Sequence, residues 1–279
     1  MNFTTATASL STIGLLLGLM TAMSLVEALI PMRARGEWGR RHLVPNIALT
    51  FLTFATNVVF NTSLLLGLVW LQSRGWGLFN AVQVPPIVAI GGAILALDLA
   101  WYVTHVSMHK SPAMWRFHVI HHSDPQVDVT TTVRQHPGES VIRYAYLAAF
   151  AFAFGASPLA FTIYRIWSAS HGQLEHANIK LPQWLDTAIS LVFSSPNMHK
   201  IHHSRDQGFT DRNYSNIFSI WDRLALTFTP SKFGRDIAYG LEGEDSPSRQ
   251  STLGLLCSPF RRATTDRQVQ PTALPARPA

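Results

Sequence analysis

Apolar residues fall in blocks along this chain rather than in alternation. Three blocks, Ala8 to Ile30, Ile47 to Trp70 and Ile87 to Val106, each approach the ~20 apolar residues that cross a bilayer as a helix. A fourth, Val141 to Ala169, is interrupted by "FGASP", where Gly155 and Pro158 break a helix. It leaves two arms of about 14 residues, ~21 Å each, short for a full crossing. The pattern predicts an all-α integral membrane protein with three spanning helices. It adds a short re-entrant helical hairpin over 141–169 that returns the chain to the side it left. A polar, histidine-rich stretch precedes the hairpin. After it, helical spacing recurs in "LDTAISLVF", and "RDQGFTDRNYSN" reads as a polar turn. Beyond about Asp245 the chain is rich in Ser, Pro, Thr and Arg with little periodicity, which predicts disorder.

Composition supports the membrane assignment: 47% of residues are hydrophobic and only 14% charged, against about 25% charged in soluble domains. The first block lacks a basic flank, is long for a signal-peptide core and is followed by Pro31 instead of a cleavage site, so it is expected to stay as an anchor. The single cysteine, Cys257, rules out an internal disulfide framework and a cysteine-based zinc site. A net charge of +6 raises nucleic acid as a partner, but the basic residues form no stripe interleaved with aromatics. Arg33, Arg35, Arg40 and Arg41 crowd between the first two blocks, which places that loop in the cytoplasm. The next loop, "QSRGWG", then lies outside, and the third helix delivers His105 and the residues after it to the cytoplasmic face. A bacterial inner membrane is expected ahead of the endoplasmic reticulum. The oligomeric state is left open.

The chemistry lies in the histidines. "FHVIHH" at Phe117 to His122 and "MHKIHH" at Met198 to His203 repeat H-x-[IV]-H-H about eighty residues apart, and ten of the twelve histidines fall in four groups. These are His105 and His109; His118, His121 and His122; His171 and His176; His199, His202 and His203. At helical spacing, three of the groups each present one imidazole-lined face, and such spacings let two rings reach one ion. A single site seldom uses more than four protein ligands, so ten rings imply two ions. His171 and His176 stand ~140° apart on a helix, so either Gly172 breaks the helix or the two rings approach from different sides. His42, alone among arginines, reads as interfacial. Asp98, inside the third apolar block and seven residues before His105, could orient a ligand's free N–H or make an interhelical hydrogen bond. His136, in "RQHPGES", is a further candidate near the site.

The order H-x-x-x-H, H-x-x-H-H, H-x-x-H-H resembles the membrane fatty acid hydroxylase/sterol desaturase superfamily, as do "HPGE" at His136 to Glu139 and "NYSNIFSIWDRL" at Asn213 to Leu224. The resemblance runs from about Asp98 to Thr227. It implies a catalytic unit over 98–228, preceded by membrane helices and a basic loop over 1–97 and followed by an extension over 229–279. It implies a non-haem di-iron oxygenase with a cytoplasmic histidine dome over a lipid-reaching cavity, and zinc can replace the iron on overexpression. His105, His109, His118, His121, His122, His199, His202 and His203 match the three histidine boxes, and His171 and His176 match the ligands between the second and third. The sequence departs mildly from the pattern at Ser215 and at Ala225 to Thr227, which loosens any subfamily assignment.

Such a centre would use O2 to hydroxylate or desaturate an unactivated C–H bond of a lipid, whether fatty acyl, sterol or other. Electrons would come from an external ferredoxin or cytochrome with its reductase, since the sequence has neither a G-x-G-x-x-G after a strand nor a cysteine set for a cluster. Two alternatives stand beside this reading: a membrane zinc hydrolase, for which no H-E-x-x-H is present, and a non-catalytic metal-binding membrane protein.

Overall fold

A long apolar helix satisfies its own backbone N–H and C=O groups, the condition for crossing lipid. The computed structural model describes residues 3–34, 36, 38–82, 84–234 and 237–261, with the backbone alone at 3–10, 38 and 40. Helix α1 (Phe3–Leu29) leads through the single turn of α2 (Trp38–Arg41) into α3 (Leu43–Ser73), and α4 (Leu78–Ala81) leads into α5 (Pro86–Lys110). Three segments, Ser11–Leu29, Leu43–Ala81 and Pro86–Lys110, are long and apolar enough to cross a membrane. Leu25, Val59, Leu66 and Ile87 point outward from them, while Leu68, Ala93 and Leu97 are buried. Of the basic loop, Arg35 and the side chain of Arg40 lie outside the described residues.

Ser111 ends α5, and Pro112 at the first turn of α6 (Pro112–His122) sends the chain back beside it. A short 3-10 turn at Val129–Val133 precedes α7 (Pro137–Phe154) and α8 (Pro158–His176). The remainder is α9 (Gln183–Ser190), α10 (Pro196–His202), α11 (Gln207–Thr210), α12 (Ile220–Leu224) and α13 (Thr252–Cys257). No strand occurs among the described residues.

The chain breaks into two helices at Gly155 as expected, but the arms are 18 and 19 residues long, ~27 Å and ~28 Å, instead of the expected fourteen. Pro137 to Ser140 at one end and His171 to His176 at the other read as polar, yet they continue the helices. Gly155 (φ +69°) closes α7 in the left-handed region, which favours glycine, and Ser157 Oγ accepts from Ala160 N–H at 3.2 Å to start α8. A Cβ on Gly77, in the loop joining α3 to α5, would lie 2.3 Å from Gly155 Cα. The hairpin tip therefore reaches the far end of α3 and α5. Between them, Leu68, Leu97, Leu147, Ala160 and Tyr164 form the main core.

Two further expectations change. Residues 246–261 are folded: Gln250 Oε1 accepts from the buried Arg134 at 2.7 Å, and Leu255 packs with Leu49 and Ile120. The loss of order expected from about Asp245 does not begin there, and residues 262–279 lie outside the described residues. His42 is not interfacial but fully buried, with Asp124 at 3.3 Å and Asp128 at 3.4 Å. Burial opposes its protonation, but the two carboxylates outweigh burial and push it up to about 10.

Candidate metal centre

Four helices deliver the histidines to one place. The last two turns of α5 carry His105 and His109, α6 carries His118, His121 and His122, α8 ends on His176, and α10 carries His199 and His202 with His203 at its end. Helix α10 is fixed in turn by Asp186, which accepts from Asn197 N–H at 3.1 Å and from the capping Ser195 Oγ at 2.9 Å. The rings divide into two groups: His105, His109, His118, His122 and His202, then His121, His176, His199 and His203, all buried. Within each group the ligand nitrogens lie within 4.8 Å of one another.

Outside each group, the chain settles which nitrogen carries the proton. His105 Nδ1 lies 2.7 Å from the Tyr214 carbonyl, His176 Nδ1 2.7 Å from that of Gly172 and His202 Nδ1 2.9 Å from that of Arg212. A carbonyl can only accept, so these Nδ1 atoms carry N–H and the Nε2 lone pairs point inward. His118 Nδ1 faces the Glu139 carboxylate at 3.1 Å, His109 Nδ1 faces Asp211 at 3.4 Å, and His199 Nδ1 is 3.8 Å from Glu175. The Tyr214 carbonyl is itself held in place, because the Asp222 carboxylate accepts from the N–H groups of Tyr214 and Ser215 at 2.8 and 2.9 Å. The "NYSNIFSIWDRL" stretch is thus the scaffold behind His105.

The inward nitrogens approach closely. His105 Nε2 is 3.2 Å from His118 Nε2, and His176 Nε2 is 3.0 to 3.1 Å from those of His121, His199 and His203. Two nitrogens that both present lone pairs, as His105 and His118 do, cannot hydrogen-bond to each other. Protonation is no remedy: burial and then neighbouring rings hold His121, His122, His199 and His203 well below their ordinary value, and burial lowers His176 and His202 to about 3. A cation removes the conflict. Nitrogens ~2.1 Å from a shared first-row ion stand ~3.0–3.4 Å apart in octahedral or tetrahedral coordination, and the spacing here fits one ion in each group.

Nine of the ten expected ligands come together, and His171 does not. Helix α8 runs unbroken through Gly172 to His176, so the ~140° offset persists, and His171 Nε2–H donates to the Ser194 carbonyl at 2.8 Å. Asp98 touches no histidine. It accepts from Ile217 N–H, Phe218 N–H and Trp221 Nε1–H at 3.2, 3.1 and 2.8 Å, pinning the scaffold loop. His136 caps α7 by accepting from Gly138 N–H at 2.9 Å and packs on Phe117, away from both groups. In place of these two, Glu139, Asp211 and Glu175 lie against the rings. Glu139 could have been found, since a carboxylate in the first turn of an otherwise apolar helix needs a partner.

His105, His121, His176 and His199, drawn from both groups, line a cavity of about 270 Å³ that extends between α1, α3 and α8. Leu16, Phe54, Leu65 and Phe161 give it apolar walls.

Against known proteins, the profile described as fatty acid hydroxylase matches residues 90–227. The chain is 30% identical over 160 residues to alkylglycerol monooxygenase of Caenorhabditis elegans, covering 56% of this chain and 30% of that one. It is 30% identical over 173 residues to an ornithine lipid hydroxylase of Rhizobium tropici, covering 61% and 50%. It is 28% identical over 156 residues to human alkylglycerol monooxygenase, covering 53% and 32%. The chain thus spans about a third of the monooxygenases' length and half of the ornithine lipid hydroxylase's. No solved structure matches it. The matched stretch begins within α5 and ends just after α12, so it takes in both histidine groups and their scaffold, and on that ground the chain belongs to the membrane fatty acid hydroxylase superfamily.

Proposed function

We propose that the chain is a di-iron oxygenase of the membrane that hydroxylates an unactivated C–H position of a lipid. The observation that carries this reading is the pair of converging imidazole groups opening together into an apolar cavity. Two relatives act as the reading requires by name, one a monooxygenase of alkylglycerols and one a hydroxylase of ornithine lipids. The balance is one C–H and O2, with two electrons and two protons, giving C–OH and water. Iron, when bound, supplies the O2 chemistry that no side chain can perform. The chain supplies the rest. His105, His109, His118, His122 and His202 would hold one ion and His121, His176, His199 and His203 the other, while Nδ1 hydrogen bonds fix the orientation of His105, His118, His176 and His202. Leu16, Phe54 and Phe161 would exclude water around the alkyl chain and hold it against the rings. Electrons would come from a ferredoxin or cytochrome with its reductase, docked on the face where the histidines lie, and the arginines between α1 and α3 support a cytoplasmic position for that face.

The purified chain should hold close to two irons, and lipids of membranes containing it should gain one oxygen by mass spectrometry. Product formed under strict anaerobiosis without an electron donor would instead indicate a hydrolytic site and overturn the reading.

A further inference from the structure

Arg165 stands seven residues into α8 and eleven before His176, ~10 Å from one end and ~16 Å from the other. That is mid-depth in the helices, where a guanidinium is tolerated only if it faces the interior and finds partners. Arg165 does face inward, yet its contacts are neutral. Its Nε donates to Asn61 Oδ1 at 3.3 Å, and its guanidinium lies 5.3 Å from the centre of the Tyr144 ring. Among the described residues no carboxylate forms an ion pair with it. Arg143, nearby on α7, does have an acid: its Nη2 lies 2.5 Å from Glu139, and its guanidinium stacks 4.0 Å above Trp101. Its Nε, however, has no partner. Both guanidiniums, with Asn57, Asn61 and Gln135, line the same cavity as the histidines. Glu175 lines the cavity as well, but it lies against His199 Nδ1 at 3.8 Å, so Arg165 stands without an acid of its own on the cavity wall.

We propose that Arg165, with Arg143 and Asn61, forms a subsite for the anionic group of an amphiphilic lipid, a carboxylate or a phosphate, held in the cavity that reaches the histidines. The subsite deepens the hydroxylase reading and rests on it for the fate of the bound lipid, but not for the binding itself. A guanidinium fork matches either oxyanion with paired N–H bonds, and the apolar walls take the chain attached to it.

The test is binding of a fluorescent polyene fatty acid, cis-parinaric acid, and of its uncharged methyl ester, to the full chain in phosphatidylcholine nanodiscs at mildly alkaline pH. The acid should bind about tenfold more tightly than the ester, and Arg165→Gln should remove about tenfold of acid affinity while leaving the ester unchanged. Arg165→Lys should keep most of the preference. Equal binding of acid and ester by the wild type, or equal weakening of both by Arg165→Gln, overturns the proposal. If Arg165→Gln loses its thermal transition, Asn61→Asp supplies a counter-charge without removing the arginine and should lower acid binding alone; loss of ester binding as well would count against the subsite. Displacement by lysophosphatidic acid at lower concentration than by stearate assigns a phosphate lipid, and the reverse order assigns a carboxylate. Acid preference in a chain that binds no iron and forms no product would leave the subsite standing and remove the hydroxylase reading. Hydroxylation of neutral lipids without acid preference would do the opposite.

Discussion

His118 lies between converging imidazole nitrogens on one side and the Glu139 carboxylate on the other. Glu139 in turn holds Arg143, so one buried acid orients a proposed ligand and neutralises a cation of the cavity wall. Carboxylates behind metal-bound imidazoles raise ligand basicity, and their loss typically costs about 10–100-fold in metal affinity. Glu139→Ala should therefore weaken iron retention by that order in chelator competition, with Glu139→Gln falling between it and wild type. Retention equal to wild type in the alanine variant would mean that Glu139 serves only Arg143. The histidines offer a sharper contrast: His176→Ala should lose metal, whereas His171→Ala should keep both ions, because its ring faces Ser194. The ligand residue types were legible in the sequence, since i, i+3 and i, i+4 spacing is local and histidine is rare. Their partition was not, because rings adjacent in sequence, His121 and His122, serve different groups.

At the scale of elements, the hairpin shows what hydropathy alone misses. An apolar window stops where Glu139 and His171 enter, yet the helices continue, because those polar groups find partners inside the protein instead of in water. The break at Gly155 was legible because it is local. Its depth was not, because depth is set by a contact with Gly77, 78 positions earlier in sequence. Gly77 has φ +95°, so alanine there costs about 1 kcal/mol or more for the backbone alone. An added Cβ would also overlap Gly155 Cα at 2.3 Å, which forces the hairpin tip away. Gly77→Ala should lower the melting temperature in detergent well beyond what Gly91→Ala does, where nothing lies within 4 Å of the added Cβ. Depth itself can be read by labelling. In a Cys257→Ser background, Ser157→Cys should react with an impermeant maleimide from the same side as Arg74→Cys and from the side opposite Lys110→Cys. Reaction of Ser157→Cys from the Lys110 side would place the tip short of the far surface.

Across the whole molecule, two sets of histidines respond to pH in opposite senses. His176 and His202 are lowered to about 3 by burial, from an ordinary value of ~6.5. Between those values the unfolded chain holds more protons than the folded one, so stability falls as pH drops below ~6.5, by ~1.4 kcal/mol per pH unit for each such ring. Above ~6.5 these rings add no further pH dependence. His42 is the reverse case, raised to about 10 by Asp124 and Asp128 despite burial. Its contribution is fully present below ~6.5 and is lost as pH rises toward its folded value. Summed over these rings, the stability of the metal-free chain should be greatest near pH ~6.5 and fall on both sides, the alkaline fall slowing above about pH 8, where the buried Lys200, lowered to about 8, offsets His42. His42→Gln should flatten the alkaline limb of a melting-temperature profile and leave the acid limb unchanged. Bound metal should protect against acid until the rings protonate and release it, since protons and metal compete for the same lone pairs. An alkaline limb that survives in His42→Gln would show that another group sets it, and would detach His42, Asp124 and Asp128 from the stability of the face that carries the histidines.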